Sequence, residues 1–183
     1  MRFSNLAPLT IGVLLLAPLS GCAPSGTPES PEPTATFVAP YATDEEALAA
    51  AEEAYAEYTR VMLASYRKGV TDPTPLSDVA SGEHLAELLE EFEERVADGR
   101  YILGEESFDQ MVLQRYSRDG ARQEVIAVYL CDDLSELAIY RDGQKIGPEE
   151  PLSTMTMQVV FDLSSDSEAL LVSSRDIWST KAC

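Results

Sequence analysis

The hydrophobic period of this 183-residue chain changes at Gly99, and that change constrains the fold more than any other feature. Before Gly99, apolar residues recur every three or four positions, as on one face of an α-helix; after it, they alternate with polar residues, as in half-buried strands. Helices that precede strands favour an α+β domain. We therefore predict three N-terminal helices packed on a curved antiparallel sheet.

Local signals place these helices. Thr43 and Glu46 form a capping box that begins the first helix, over residues 43–69, with one apolar stripe along its length. Thr74-Pro75 begins a short second helix over 74–80. The third helix, over 81–99, buries Leu, Phe and Val side chains and presents glutamates on its outer face.

The strands follow Gly99. They are predicted over 101–117 with a bend at Gly104, then over 122–131, 136–141, 144–147, 152–162 and 168–178. Asp-Gly pairs at 119–120 and 142–143 indicate hairpin turns. The strand over 122–131 is apolar on both faces, which predicts a central position in the sheet.

The first 21 residues have the pattern of a secretory signal, with a short basic start, an apolar run and small residues at its end. The segment Leu19-Ser20-Gly21-Cys22 resembles the lipobox of bacterial lipoproteins, in which the cysteine is diacylated and becomes the first residue after cleavage. Two acyl chains hold a protein stably on a membrane. We predict lipidation of Cys22, and attachment through this N-terminal lipid to the extracytoplasmic face of the cell membrane. The alternative is an ordinary secretory signal with a chance cysteine.

Residues 22–42 form the predicted tether. Residues 23–42 contain five prolines, two glutamates and no basic residue. Such a composition buries too little apolar surface to offset its ordering entropy, which predicts a disordered or polyproline-like spacer. The domains predicted are a signal peptide over 1–21, the tether over 22–42 and one α+β domain over 43–183.

Short motifs in the domain support a family resemblance. An Ala- and Tyr-rich helix, AAAEEAYAEYTRVM, covers 49–62; Tyr129 and Cys131 precede acidic residues in the central strand; Trp178 and Cys183 end the chain. With these motifs the chain resembles the secreted actinobacterial lipoproteins of the nuclear transport factor 2-like (SnoaL-like) superfamily. The resemblance implies a cone-shaped domain whose interior is often open at its wide end.

Two cysteines remain if Cys22 is acylated. Disulfides persist in exported proteins, and Cys131 and Cys183 are then the sole intramolecular pair. Closing a loop of about fifty residues stabilises a fold by about 4 kcal/mol on the chain-entropy model. We predict this disulfide. The alternative is a buried free Cys131 with Cys183 in a frayed terminus.

The sequence contains little catalytic or ligand-binding chemistry. Its single histidine, His84, lies among glutamates, where a solvated side chain is expected, and it cannot complete a zinc site. The acidic run over 162–168 lacks the glycine and bidentate glutamate of a calcium loop. The formal net charge of −19 disfavours nucleic acids. We predict no metal, no cofactor and no nucleic-acid partner.

These observations favour a non-catalytic lipoprotein that binds a small apolar ligand or an envelope partner protein. The first alternative is an enzyme of the SnoaL-like isomerase or cyclase type, for which Asp109 is the nearest candidate base. The second is a structural spacer or partner module without a pocket. We predict an apolar pocket without a buried carboxylate, with this lining: Tyr55, Tyr58, Met62, Met155, Met157 and Phe161.

Overall fold

The computed structural model describes residues 39–118, 124–147, 154–165, 169–179 and 183; the predicted signal peptide and most of the predicted tether lie outside the described residues. Its elements, in chain order, are α1 (Asp44–Ser65), α2 (Gly82–Ala97), β1 (Arg100–Leu103), β2 (Ser107–Tyr116), β3 (Glu124–Asp133), β4 (Ala138–Arg141), β5 (Gln144–Ile146), β6 (Thr154–Leu163) and β7 (Leu170–Ser179). None of the helices in these described ranges is long and apolar enough to cross a membrane.

The predicted fold class is wrong in two respects. The described chain has two α-helices, because Thr74–Asp78 forms only a five-residue 3-10 helix. Its seven strands form two antiparallel sheets, ordered β2-β3-β6-β7 and β1-β4-β5, so the expected cone of three helices on one curved sheet is not the architecture found. The backbone N–H groups of Leu76 and Val79 donate to carbonyl oxygens three residues earlier, those of Pro73 and Leu76, as in a 3-10 helix.

Gly104 explains why the predicted strand over 101–117 belongs to two sheets. Its φ angle is +109°, and a Cβ atom at this position would lie 2.0 Å from the carbonyl oxygen of Glu136. The backbone therefore takes a direction that a strand of L-residues rarely adopts. The part before Gly104 pairs with β4, and the part after it pairs with β3.

The start of α1 follows the predicted capping box. The backbone N–H of Glu46 donates to Oγ1 of Thr43 over 3.1 Å, and Oε2 of Glu46 accepts from the backbone N–H of Ala42 over 2.9 Å. Two N-terminal N–H groups are thereby satisfied by side chains, which stabilises the first turn.

The core lies between the helices and one face of the four-stranded sheet. Within α2 the buried face differs from the predicted one, because Val96 is 38% exposed whereas Arg95 is buried. The guanidinium of Arg95 donates to the carbonyl oxygens of Ser65 and Arg100 over 3.0 and 3.1 Å, and it packs on the rings of Tyr66 and Phe92. Two donors of this buried cation are thus paired near the C-terminal end of α1, where the helix dipole is negative, whereas its Nε has no hydrogen-bond partner among the described residues.

The described chain enters the domain at one end of the four-stranded sheet. The backbone N–H of Tyr41 donates to the hydroxyl of Tyr116 over 2.7 Å, and that hydroxyl donates to the carbonyl oxygen of Tyr41 over 2.8 Å. Tyr116 ends β2 and is paired with Ile126 near the start of β3. We call this the entry end. The opposite, far end holds the last residues of β3 and β7.

Candidate functional site

A fully buried carboxylate lies at the far end of the sheet. Asp132 follows Ile126, Val128 and Leu130 on the inner face of β3, because alternate residues of a strand share a face, and its side chain is completely buried. Its Oδ2 accepts a hydrogen bond from the hydroxyl of Tyr55 in α1 over 2.7 Å. The sequence predicts an apolar pocket without a buried carboxylate, and it does not predict that Asp132 is buried in the interior.

Arg175 in β7 is the counterion of Asp132. Its Nη2 donates to Oδ2 of Asp132 over 2.6 Å and to Oε1 of Glu106 over 2.7 Å, while its Nε donates to the hydroxyl of Tyr55 over 2.8 Å. The side chain of Glu106 is only 1% exposed. We call Tyr55, Glu106, Asp132 and Arg175 the ion network. It joins α1, the approach to β2, β3 and β7.

Two carboxylates share one guanidinium in the ion network. Burial raises the pKa of Asp132 and the pKa of Glu106, and Arg175 opposes both shifts. Burial also raises the pKa of Tyr55, which keeps its hydroxyl protonated as a donor. Oδ1 of Asp132 is buried and has no hydrogen-bond partner among the described residues. The carboxyl pair therefore favours binding a proton more than two exposed acids would.

A second polar pair lies beside this network. The hydroxyl of Tyr58 and Nε2 of His84 share a hydrogen bond of 3.0 Å, and the rings of Tyr55 and Tyr58 are stacked with centroids 5.7 Å apart. Burial, followed by the positive charge of Arg175, lowers the pKa of His84. The imidazole is half-buried against α1, which differs from the solvated side chain expected from the glutamates around it.

The six residues predicted to line a pocket converge on the interior. Five are buried in one core cluster and Met155 packs against it; the buried ones are Tyr55, Tyr58, Met62, Met157 and Phe161. The described residues line three open grooves of about 610, 340 and 750 Å³. None of the six residues predicted to line a pocket borders any of these grooves. A pocket built from these residues remains a prediction.

Glu106 is the member of the ion network that lies beside a surface groove. It lines the groove of about 750 Å³ together with Glu105 and residues of α1 such as Thr59 and Leu63. Asp109, the base candidate from the sequence, is exposed on β2 and is not part of the network. The sequence signal for Asp132 is its position, two residues after Leu130, on the face of β3 that Ile126, Val128 and Leu130 bury.

The predicted disulfide is confirmed. Cys131 and Cys183 are bonded, with Cα atoms 5.9 Å apart, and the bond ties the last residue of the chain to the central strand. Cys22, the predicted lipidation site, lies outside the described residues. Within the described ranges, no group of three or more His, Cys, Asp or Glu side chains is placed to hold a metal ion.

Comparison with protein-family models and with curated proteins finds no match. Among solved structures, the chain is similar to the crystal structure of the intermembrane space region of the chloroplast protein ARC6. The sequences are 12% identical, the TM-score is 0.53, and the match covers 73% of this chain and 97% of that chain. At this identity the likeness shows the fold alone.

Proposed function

We propose that this protein is a lipoprotein anchored through Cys22 on the extracytoplasmic face of the cell membrane, whose domain binds a small apolar ligand or an envelope partner protein and is not a catalyst. The Cys131–Cys183 disulfide carries the proposal, because disulfides persist outside the reducing cytosol. It supports export, and the lipobox-like segment supports retention at the membrane.

The ion network supports a binding role over a catalytic one. A general base must reach the proton that it removes. Oδ2 of Asp132 already accepts from Tyr55 and Arg175, and the whole side chain is buried. In this role the network holds α1 against β3 and β7, and the ligand or partner binds elsewhere on the domain.

The groove beside Glu106 favours one alternative, an enzyme that uses acid–base chemistry of the isomerase or cyclase type. Glu106 lines this groove, and burial raises the pKa of its carboxyl, which is the direction that general acid–base catalysis requires. Its side chain is only 1% exposed, however, and would have to move to reach a substrate. A spacer without a ligand is the other alternative. A spacer has no use for exposed aromatic and apolar side chains, and the domain has such side chains, Trp178 among them.

Membrane partitioning tests the proposal. The full chain, expressed in a bacterium that processes lipoproteins, is expected to enter the detergent phase, and Cys22→Ala is expected to move it to the aqueous phase. Asp109→Ala is the control, because Asp109 is exposed and outside the lipobox, and it should leave partitioning unchanged. An unaltered detergent fraction for Cys22→Ala would contradict the anchor.

A further inference from the structure

The four-stranded sheet has a second face that neither helix covers. The helices contact the inner face, which carries the core. Val112, Tyr129 and Gln158 lie in one row on the opposite side, Gln114 joins them through its hydrogen bond with Gln158, and Trp178 joins them through its ring contact with Tyr129. We call these five residues the outer face. Trp178 is 62% exposed and Val112 is 54% exposed, although both are apolar. Large exposed aromatic side chains are typical of binding surfaces.

Aromatic rings form the centre of this face. The ring centroids of Tyr129 in β3 and Trp178 in β7 are 4.9 Å apart, and their planes are inclined by 51°. The two rings therefore present an angled apolar surface at the far end of the sheet. One ring carries a hydroxyl and the other an indole N–H, so polar groups border the apolar surface.

Two glutamines provide uncharged hydrogen-bonding groups beside the rings. Nε2 of Gln158 donates to Oε1 of Gln114 over 2.8 Å and to the hydroxyl of Tyr129 over 3.4 Å. Each primary amide offers two donor hydrogens and an acceptor oxygen, so these contacts leave capacity for a ligand. The amides thereby have a defined orientation before any ligand arrives, which lowers the entropy cost of binding.

The charge of the protein restricts which partner fits. The chain carries a formal net charge of −19, whereas the five outer-face residues carry none. Charged residues lie next to them on the same side of the sheet: Asp176 is the register partner of Gln158, and Arg115 is the register partner of Ala127, two positions along β3 from Tyr129. A second copy of the chain and a nucleic acid would both be repelled by the surrounding field. An uncharged partner with apolar faces and many hydroxyl groups is not repelled and matches the rings and the amides.

We propose that the outer face binds an uncharged saccharide chain. A pyranose ring has an apolar C–H face that stacks on an aromatic ring, and its hydroxyls exchange hydrogen bonds with amide side chains. Trp178 and Tyr129 supply the stacking surface, and Gln114 and Gln158 supply the hydrogen bonds. The role of this site at the cell envelope rests on the proposed function, whereas saccharide binding itself does not depend on the anchor.

The disulfide and the entry point support this location. Cys131 lies two residues beyond Tyr129 on β3, and its bond to Cys183 ties the chain end that follows Trp178 to the same strand. The bond thus holds the stacking surface in place. Tyr41, close to the start of the described residues, lies at the entry end, so Trp178 lies at the opposite end of the sheet from Tyr41.

Titration of the full chain with chitohexaose and cellohexaose, two uncharged oligosaccharides, tests this proposal. Trp178 is the single tryptophan, so its fluorescence reports on the outer face alone. We expect a saturable change in emission with at least one of the two, and heats of binding by calorimetry. Trp178→Ala should weaken the affinity about tenfold or more by calorimetry, which is the magnitude of one lost aromatic contact with its buried area. Gln158→Ala should weaken it by a smaller factor.

Leu103→Ala is the matched control, because Leu103 is an exposed apolar residue on the other sheet, and it should leave the affinity unchanged. The proposal is overturned if neither oligosaccharide gives heat or an emission change at millimolar concentration, or if Trp178→Ala binds as tightly as the wild type. It is also overturned if the chain is a dimer that Trp178→Ala dissociates, since the face would then be a self-interface. If Cys22→Ala does not alter membrane partitioning, the anchor is contradicted. The titration still tests saccharide binding, because it does not depend on lipidation of Cys22.

Discussion

At the scale of single residues, the stability of the far end depends on how its buried charges are compensated. A buried carboxylate without a counterion is costly, and removal of one partner from a buried pair leaves the other uncompensated. Asp132 and Glu106 both accept hydrogen bonds from the guanidinium of Arg175. The hydroxyl of Tyr55 donates to Asp132 and accepts from Arg175. The network is therefore sensitive to the loss of any member.

Asp132→Ala is expected to destabilise the fold by about 3–5 kcal/mol, because it leaves Arg175 and Tyr55 without their shared acceptor. Asp132→Asn keeps one oxygen acceptor and should cost less. Urea unfolding followed by circular dichroism measures both. Asp109→Ala is the control, since Asp109 is exposed on β2, and it should change the free energy of unfolding by less than about 0.5 kcal/mol. Equal effects of the two alanine variants would contradict the role of the network.

His84 predicts a pH dependence of stability. Its folded-state pKa is lowered from the ordinary 6.5 by burial and by Arg175. The stability that the neutral imidazole contributes is present above pH 6.5 and is lost as the pH falls through the lowered pKa. The raised pKa values of Asp132 and Glu106 act in the opposite direction, since the stability linked to their protonation is lost as the pH rises.

A comparison of the wild type with His84→Gln separates these contributions. Between pH 7 and pH 5, the melting temperature of the wild type should fall relative to that of His84→Gln, because only the wild type must protonate a buried imidazole. Both proteins keep the carboxyl pair, so its contribution cancels in the difference. Differential scanning calorimetry at matched ionic strength measures it. A difference that stays constant with pH would show that His84 titrates as an exposed histidine does.

At the scale of elements, one glycine separates the two sheets. β1 and β2 are consecutive in the chain, yet they pair with different strands because the backbone turns at Gly104 against the carbonyl of Glu136. The β4–β5 hairpin likewise depends on its turn residues. Asp142 and Gly143 both have positive φ angles, as a two-residue hairpin turn requires.

Gly104→Ala is expected to be more destabilising than Gly69→Ala. Both positions have a positive φ angle, so both substitutions incur roughly 1–2 kcal/mol of backbone strain. At Gly69 nothing lies within 4 Å of the added Cβ, whereas at Gly104 the Glu136 carbonyl must move. The collision should add at least about 1 kcal/mol. Chemical denaturation of the two variants measures the difference, and equal losses would contradict a steric role for Gly104.

At the scale of the whole molecule, the chain is closed by a bond between its last residue and its central strand. The two cysteines are separated by 52 positions in the sequence. A cross-link of this span removes conformational entropy from the unfolded chain. It also fixes Cys183 to β3 at Cys131, which lies next to Asp132 of the ion network and two residues from Tyr129 of the outer face. The same disulfide therefore stabilises the fold and restrains the proposed binding surface.

Cys183→Ser is expected to lower the free energy of unfolding by about 4 kcal/mol. Reduction of the wild type with dithiothreitol should lower it by a similar amount, and reduction of Cys183→Ser should change nothing further. Cys22→Ser is the control, since it leaves the cross-link intact. Peptide mapping without reduction identifies the bond directly. Free thiols at both positions in the oxidised protein would contradict it.

The sequence by itself determined the features that depend on neighbouring residues or on residue types. The capping box at Thr43, the change of period at Gly99 and the Asp142-Gly143 turn all follow from contacts within a few positions along the chain. The Cys131–Cys183 pair followed from counting cysteines in a chain that is predicted to be exported. Five of the six residues chosen for an apolar interior are buried, because hydrophobic periodicity reports burial directly.

Only the tertiary structure decided which distant groups meet. Tyr55 and Arg175 are 120 positions apart, and Asp132 and Arg175 are 43 apart, so no local pattern could pair them. The same holds for Arg95, which is buried in place of Val96 because carbonyl oxygens of Ser65 and Arg100 accept its hydrogen bonds. The separation of the sheets at Gly104 likewise depends on Glu136. Periodicity records how much apolar surface a residue can bury, whereas the cost of burying a charge depends on a partner that the folded chain alone brings within reach.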